Sequence, residues 1–230
     1  TFPKVWNFRK GGYLPKAIFS ILFAAFAALN LFQTWQAHDG GMFETEAMNR
    51  AYFWRIFGKT KNDPFDRLLL DSKEGFFGEK KNEQPLYATD FEAFADTAGV
   101  SNQAARSGKF SWFVDPAHPF SPAVDLPKSE AMQPRNWLHV SGWFFSPQLE
   151  YEPWWMPQLV VRFEKNGQVV RERAIRPMRV MQPNQWQEVS MNIRFPRKDF
   201  DNVKIFLWNV RDRVAMHADD LKVEAFQSGN

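Results

Sequence analysis

The sequence predicts a mainly β protein, in which one transmembrane helix and a short juxtamembrane helical segment precede a β-sandwich. Three observations predict this fold class. Residues 17–35 form an uncharged apolar run, an aromatic amphipathic stretch follows, and from residue 86 onward short apolar runs alternate with Pro, Gly and Asn turns. We therefore divide the chain into a basic head (1–16), a transmembrane helix (17–35), juxtamembrane helices with a linker (36–85) and an extracytoplasmic sandwich (86–230).

The basic excess of the chain is confined to its head, residues 1–16, which holds no acidic residue. Its basic residues are Lys4, Arg9, Lys10 and Lys16. Subtracting these four from 29 Lys and Arg leaves 25, against 26 Asp and Glu in the rest of the chain. Because the remainder is nearly neutral with interspersed signs, the charge pattern argues against nucleic-acid binding despite a pI of about 9.1. The absence of cysteine excludes disulfides, thiolate zinc sites and a Cys nucleophile.

The apolar run of residues 17–35 has the length of a membrane-spanning helix. It would reach about 28 Å, close to the roughly 30 Å hydrocarbon core of a bilayer. Tyr13 and Trp35 bracket the run, where amphipathic rings prefer to lie. The alternatives are a signal peptide and a buried helix of a soluble protein. The exit sequence LNLFQTWQ has no small-residue cleavage site, and a buried helix rarely carries so unbroken an apolar run. The basic head and the more acidic exit side place the N-terminus in the cytoplasm and residues 36–230 across the membrane.

Small residues in the span indicate a surface for other helices. Ser20, Ala24 and Ala28 follow each other at four-residue spacing, which lets helices approach closely. Asn30 could hydrogen-bond to a neighbouring helix. These residues predict contact with other membrane-protein subunits. The alternative, that Ala is a common filler and Asn30 already lies near the headgroups, stays open.

The segment after the span predicts two short helices and a linker. Residues 43–58 read as an amphipathic helix that ends at Gly58 and lies either at the membrane interface or against the base of the sandwich. A second helix is expected to begin at Asp63, as N-cap, with Pro64 in its first turn. The polar, glycine-punctuated residues 72–85 predict a linker.

The exit sequence also bears on the location of the protein. NLFQTWQ, followed by GGMFETEAMNRAYFWRIFGK, resembles the last span and exit helix of certain polytopic membrane proteins of Bacteroidetes-type bacteria, some of which look like glycosyltransferases. The resemblance covers residues 29–60 and implies a bacterial inner membrane with a periplasmic C-terminal domain. Because residue 1 is Thr, we expect either a missing leader or a longer chain.

Eight short strands are predicted after residue 86, which suggests two packed sheets. The runs are LYATDF, KFSWFV, WLHVSGWFF, QLVVRFE, QVVRERAI, WQEVSMNIRF, VKIFLW and LKVEAF. Asn166 and Gly167 lie between two of these runs and predict a two-residue hairpin turn.

Five short motifs occur in order in this region: Asp90-Phe91-Glu92, Ala105 to Lys109, Val140 to Trp143, Trp186 to Val189, and Ala218 to Val223. With them, residues 88–226 resemble the jelly-roll domains of carbohydrate-binding modules and their galactose-binding-like relatives. The resemblance implies a jelly-roll β-sandwich. It does not by itself imply sugar binding, because such domains also serve as structural or docking modules.

The same resemblance implies a candidate metal site, since many of these modules hold a structural calcium where the first and last strands meet. The candidate ligands are Glu92, Asp220, Asp219 and Asp90. Calcium takes six to eight oxygens, which carboxylates and backbone carbonyls could supply. The alternative is that the Asp pair ends a turn and Glu92 forms a salt bridge with Lys109 or Arg106.

Two adjacent tryptophans are the candidate ligand contacts. Trp154 and Trp155 lie in the Pro-bounded stretch YEPWWMP, where neighbouring rings cannot both enter one core face. Exposed flat aromatics of this kind stack on sugars in the family, or contact a bilayer or a partner protein. Trp112 and Trp208 alternate with apolar residues and are expected in the core.

No catalytic constellation is evident, so we expect a protein that is not an enzyme. The four histidines lie far apart in sequence, without HExxH, and neither GxSxG nor a phosphate-binding glycine loop occurs. The first hypothesis is an accessory or structural subunit of a bacterial membrane complex, whose span packs on neighbouring helices and whose sandwich docks on the periplasmic side. The alternative is a membrane-anchored glycan-binding module associated with a glycosyltransferase-like protein.

Overall fold

The computed structural model describes residues 13–38, 40–44, 47–72, 74–95, 97–211 and 213–229. Most of the predicted basic head therefore lies outside the described residues. The chain divides into two compact units, Thr1–Met48 with Gly58–Asn62, and Asn49–Phe57 with Asp63–Asn230.

In the first unit, helix α1 (Tyr13–His38) contains the predicted span and extends it at both ends. It is the one helix, among the described residues, whose length and apolar composition suffice for crossing a bilayer. Beyond its end, the Gly40 amide donates to the Trp35 carbonyl at 2.9 Å, and the buried Gln36 donates from Nε2 to the Lys59 carbonyl at 2.8 Å. The apolar run itself is exposed, as expected of a helix that requires lipid around it.

The second unit begins with a helix shorter than the one predicted over residues 43–58. Helix α2 covers Arg50–Ile56, because Asn49 acts as its N-cap and accepts the Tyr52 amide at 3.0 Å. The predicted start at Asp63 and Pro64 is confirmed, since Asp63 caps a 3₁₀ helix over Pro64–Leu68. Helix α3 (Leu69–Ser72) follows it directly.

The predicted linker over residues 72–85 is wrong in its second half. Residues 79–85 belong to strand β1 (Glu79–Thr89), which pairs with the last strand of the chain. The segment looked like a linker because β1 is mostly exposed, and its polar residues and the left-handed Asn82 (φ 52°) lack the apolar alternation of a half-buried strand.

The second unit is a two-sheet antiparallel β-sandwich, in agreement with the predicted fold class. The remaining strands are β2 (Val100–Ser101), β3 (Ser111–Val114), β4 (Val124–Pro127), β5 (Trp137–Phe145), β6 (Gln158–Lys165), β7 (Gln168–Ile175), β8 (Gln187–Arg194), β9 (Asn202–Trp208) and β10 (Met216–Gly229). One sheet has the order β2-β3-β10-β5-β8, with β1 also paired to β10, and the other has the order β4-β9-β6-β7. All eight predicted strands are present, and the short β2 and β4 were missed.

The core lies between the two sheets. Alternate residues of each central strand point inward, such as Leu159, Val161 and Phe163 on β6, all of which are fully buried. Asn166 and Gly167 join β6 to β7 with φ values of 51° and 75°, which confirms the predicted hairpin turn.

The sandwich has two ends, separated by the length of β5, about 26 Å. We call the end that holds the loop 146–157, between β5 and β6, the aromatic end. We call the opposite end, where β5 begins and β8 and β10 finish, the arginine end.

An acidic clasp closes the edge of the sandwich between β7 and β8. Glu74 pairs with Arg171 and, at 3.0 Å, with Arg173, both on β7, and its Oε2 accepts the backbone amide of Arg194 on β8 at 3.1 Å. Asp71 of α3 is almost fully buried and pairs with two further arginines that follow β7. Because one carboxylate contacts strands of both sheets, the clasp ties the two layers together at this edge.

Candidate functional site

The predicted tryptophan pair lies in the loop at the aromatic end, and its two rings have different environments. Trp154 is 61% exposed, and Tyr151, three residues earlier, is 80% exposed. Trp155 is half-buried beneath the Arg213 guanidinium, whose central carbon lies 3.3 Å from the ring centroid. Trp154 and Tyr151 are therefore the rings available to a ligand.

Hydrogen bonds and an apolar anchor hold this loop in place. Glu150 Oε1 accepts the backbone amides of Tyr151 and Glu152 at 2.9 and 3.0 Å, and the Trp155 amide donates to the Glu152 carbonyl at 2.9 Å. Met156 is buried in the core directly after the turn. A loop fixed at several points loses little entropy when a ligand binds to its rings.

The loop can bind an uncharged, partly apolar ring. Exposed aromatic faces contact flat C–H surfaces, while the carboxylates of Glu150 and Glu152 can accept hydrogen bonds from hydroxyl groups. The same carboxylates disfavour an anionic ligand by like-charge repulsion. Tyr151 was not among the predicted residues, although it belongs to the stretch YEPWWMP that was singled out.

The other two tryptophans of the prediction divide between core and surface. Trp112 is buried in the core, as predicted. Trp208 is only half-buried, and its ring stacks on the exposed Phe120 at a centroid distance of 6.1 Å and an angle of 5°. Trp208 faces outward because β9 alternates, so that its neighbour Leu207 is the residue that enters the core.

Three of the four predicted metal-ligating carboxylates, Glu92, Asp219 and Asp220, accept hydrogen bonds from one loop, residues 106–110. Asp219 is fully buried, and its Oδ2 accepts the backbone amides of Arg106 and Ser107 at 2.8 and 3.0 Å. Glu92 Oε1 accepts the amides of Lys109 and Phe110 at 2.7 and 2.8 Å. Burial raises the pKa of Asp219, and these backbone donors partly oppose that effect.

The remaining two carboxylates are also engaged by protein donors. Asp220 contacts the Arg106 guanidinium and accepts the Ser107 hydroxyl at 2.7 Å, and Asp90 accepts the Glu92 amide at 3.3 Å. Within the described ranges no group of three or more His, Asp or Glu side chains is arranged to hold a metal ion. Calcium at this place stays a prediction.

A buried serine and histidine lie within hydrogen-bond distance of each other but do not form a nucleophile with its base. Ser111 Oγ lies 3.0 Å from His217 Nδ1 and donates to the Ala104 carbonyl at 2.6 Å. Because the serine hydrogen is already used, Nδ1 must be the donor to Ser111, the reverse of what a general base requires. Burial lowers the pKa of His217 to about 4, so that the ring is neutral at pH 7.

The arginine end carries an open groove of about 1270 Å³ that was not predicted from the sequence. Its described lining is Gln133, Pro134, Arg135, Asn136, Trp137, Arg171, Arg194, Phe195, Arg197, Gln227 and Ser228, with no acidic residue among them. Arg171 is neutralised by Glu74, and burial lowers its pKa. The other three, Arg135, Arg194 and Arg197, are exposed, which gives the groove a positive potential.

A smaller aromatic pocket of about 520 Å³ lies on the same unit and is lined by Arg50, Ala51, Trp54, Arg55 and Phe77. Trp54 is 60% exposed and Phe77 is 54% exposed. The Arg55 guanidinium lies 5.1 Å from the Phe77 ring centroid and pairs with Asp66 at 2.7 Å. Whether α2 lies at a membrane interface, one of the two predicted alternatives, stays a prediction.

The predicted helix-contact residues, Ser20, Ala24, Ala28 and Asn30, are all exposed on α1. The Asn30 carbonyl accepts the Thr34 hydroxyl at 2.9 Å, within the helix. No partner chain is present, so their role in helix packing stays a prediction.

The chain has similar solved structures among known proteins. No family model matches the chain, and no curated protein matches it. A family 16 carbohydrate binding module covers 54% of this chain and 82% of its own, with 11% identity and a TM-score of 0.36. A family 22 carbohydrate binding module of Clostridium thermocellum covers 69% and 91%, with 15% identity and a TM-score of 0.36. A cyclase from Fischerella sp. TAU covers 58% and 72%, with 8% identity and a TM-score of 0.37.

The strand order makes the second unit a β-sandwich, and α1 is long and apolar enough to span a membrane. The solved structures similar to the chain include carbohydrate-binding modules. Similarity at these TM-scores carries no argument about the ligand, and the structures include an enzyme as well as binding modules. The resemblance of the exit segment to Bacteroidetes membrane proteins is not shown by these comparisons and stays a prediction.

Proposed function

We propose that the protein is a membrane-anchored, non-catalytic module that binds a neutral glycan through the loop at the aromatic end. The observation that carries this proposal is the pair of exposed rings, Tyr151 and Trp154, on a loop held by Glu150. Rings that remain exposed on a fixed loop present apolar surface without any packing benefit to the protein itself.

The expected contribution of one ring follows from the area that a sugar covers. A pyranose that covers about 60 Å² of the indole face of Trp154 would contribute about 1.5 kcal/mol, or roughly tenfold in affinity. Hydroxyl groups of the sugar would donate to Glu150 and Glu152. Arg213 partly neutralises Glu150, since their side chains approach to 3.9 Å, and the carboxylate of Glu152 favours a neutral glycan over one that carries uronate or sulfate.

The experiment is a glycan-array screen of the full chain in detergent micelles, followed by titration calorimetry with the best neutral oligosaccharide. Trp154→Ala and Tyr151→Ala should each weaken binding about tenfold. Trp54→Ala is the matched control, because it removes the same ring at the same exposure from another surface. Unchanged affinity in both loop variants, or an equal loss of affinity in the control, would rule out glycan binding at this loop.

The location is part of the proposal. We place the chain in a bacterial inner membrane, with its N-terminus in the cytoplasm and the sandwich in the periplasm. Because the chain has no cysteine, a single Cys at Glu152 can be tested with a thiol reagent that does not cross the inner membrane. Labelling in intact spheroplasts supports this sidedness, and labelling only after lysis contradicts it.

A second candidate function is an accessory subunit of a membrane complex. The observation that favours it is the line of small residues Ser20, Ala24 and Ala28 on an exposed face of α1, with Asn30 near its outer end. Native mass spectrometry after mild detergent extraction tests this candidate. A monomer without a co-purifying protein would exclude it.

A further inference from the structure

The arginine groove and the aromatic pocket are linked through packed rings. The Phe76 ring centroid lies 5.4 Å from that of Trp137, which lines the groove, and 4.8 Å from that of Phe226. Phe77, the next residue, lines the aromatic pocket. Arg194 lies over the Trp137 ring at 4.8 Å. We call the groove, the pocket and the rings between them the basic–aromatic surface.

The chemistry of the basic–aromatic surface matches the headgroup region of a bilayer. Exposed Trp and Phe side chains favour the boundary between water and acyl chains, and guanidinium groups favour anionic phosphates. Arg50 and Arg55 border the pocket, and Arg135 and Arg197 extend the positive charge along the groove. A neutral glycan, as proposed for the aromatic end, would not match this charge.

The covalent connection to α1 argues for a membrane as the occupant rather than a protein free in solution. Eleven residues, 39–49, join the end of α1 to the start of α2. This length keeps the start of α2 within about 40 Å of the end of α1. A surface tethered at this distance meets the bilayer at a high effective concentration, so that even a weak affinity produces docking.

We propose that the basic–aromatic surface docks on the anionic face of the bilayer in which the chain is anchored. Trp54 and Phe77 enter the interfacial layer, and Arg135, Arg194 and Arg197 contact lipid phosphates. The opposite, aromatic end then points away from the lipid. This inference goes beyond the proposed function: it rests on the proposed membrane anchoring by α1 but not on glycan binding.

The test uses the full chain in nanodiscs and single spin labels, because the sequence has no native cysteine to remove. Labels at Ala51→Cys and Gln133→Cys report on the pocket and the groove without removing a charge, and Glu152→Cys reports on the far end. In nanodiscs with about 30% phosphatidylglycerol, labels 51 and 133 should be accessible to oxygen and shielded from a water-soluble nickel complex. Label 152 should stay accessible to the nickel complex.

The second part of the test removes two positive charges from the groove. Arg135→Gln with Arg197→Gln should lower the ratio of docked to undocked protein about 30-fold, since each arginine near an anionic surface contributes about 1 kcal/mol. Lys109→Gln with Arg211→Gln removes the same net charge outside the groove and should have little effect. In nanodiscs of phosphatidylcholine alone, the wild type should show the same loss of docking as the groove variant shows in anionic nanodiscs.

Two outcomes overturn the proposal. In one, labels 51 and 133 are as accessible to the nickel complex as label 152 in anionic nanodiscs. In the other, they are shielded equally in anionic nanodiscs, neutral nanodiscs and detergent micelles, which would mean that protein rather than lipid covers the surface. Neither outcome bears on glycan binding at Trp154, which is measured with different variants.

Discussion

Acidification should destabilise the sandwich through His217. The side chain is 4% exposed, and its ring centroid lies 4.7 Å from that of Phe113 and 6.1 Å from that of Phe145. Burial lowers its pKa from 6.5 to about 4. In the unfolded chain the imidazole regains its ordinary pKa and binds a proton at a pH about 2.5 units higher than in the folded protein. Because the unfolded state binds more protons, the free energy of unfolding falls as the pH drops below 6.5, and the fall ends near pH 4.

The size of the effect follows from the shift in pKa. The neutral, buried His217 contributes about 3.4 kcal/mol to the pH dependence of the free energy of unfolding. About 2 kcal/mol of that free energy is lost between pH 7 and pH 5. The total free energy of unfolding of a domain of this kind is about 5–15 kcal/mol, so the loss is measurable. His139 acts in the same direction, because burial, with a smaller effect from Lys80, lowers its pKa.

The assay is urea unfolding in detergent micelles, followed by tryptophan fluorescence at pH 7 and pH 5. His217→Asn keeps a donor near Ser111 but removes the titrating group, so the variant should lose about 2 kcal/mol less than the wild type between the two pH values. His118→Gln changes an exposed histidine and serves as the control. If wild type and His217→Asn lose the same free energy on acidification, the buried-histidine argument is wrong.

Three further predictions concern the clasp, the loop and the metal. Glu74→Gln should lower the stability by about 3 kcal/mol, because it leaves its arginine partners on β7 without a counter-charge; an unchanged Tm would contradict this. Gly108→Ala should cost more than about 1 kcal/mol, since Gly108 has φ +58° and an added Cβ would lie 2.4 Å from Glu92 Oε1; urea unfolding measures it, and wild-type stability would show that the loop rearranges freely. EDTA should leave the Tm unchanged, because Arg106 and the loop amides already pair with the carboxylates. A lower Tm in EDTA that is restored by added Ca²⁺ would instead support the calcium site.

The fold was largely predictable because its strands carry local signals. Short apolar and aromatic runs between Pro, Gly and Asn turns mark the central strands, and the Asn166–Gly167 turn fixes one hairpin. The first half of β1, residues 79–85, was predicted as a linker because an exposed strand does not need apolar alternation. The start of α2 was placed too early because the capping role of Asn49 is visible only in its contacts with Tyr52 and α3.

The candidate sites differ in how far the sequence reveals them. Trp154 could be identified because its neighbours in the loop exclude a core position for both adjacent rings. The arginine groove could not, since Arg135, Arg171 and Arg197 lie on separate loops and strands that only the sheet order brings together. The carboxylates Glu92 and Asp219 were found as a group, but the role that the structure gives them, accepting loop amides, depends on the loop conformation.

The pairing of β10 has a consequence for biosynthesis. This strand pairs with β1, β3 and β5, so it links most of the six-stranded sheet. Since β10 follows these three partners in the sequence, each of them keeps an unpaired edge until β10 has been synthesised. The six-stranded sheet therefore cannot be completed before β10 joins it, and until then the unpaired strand edges are open to aggregation.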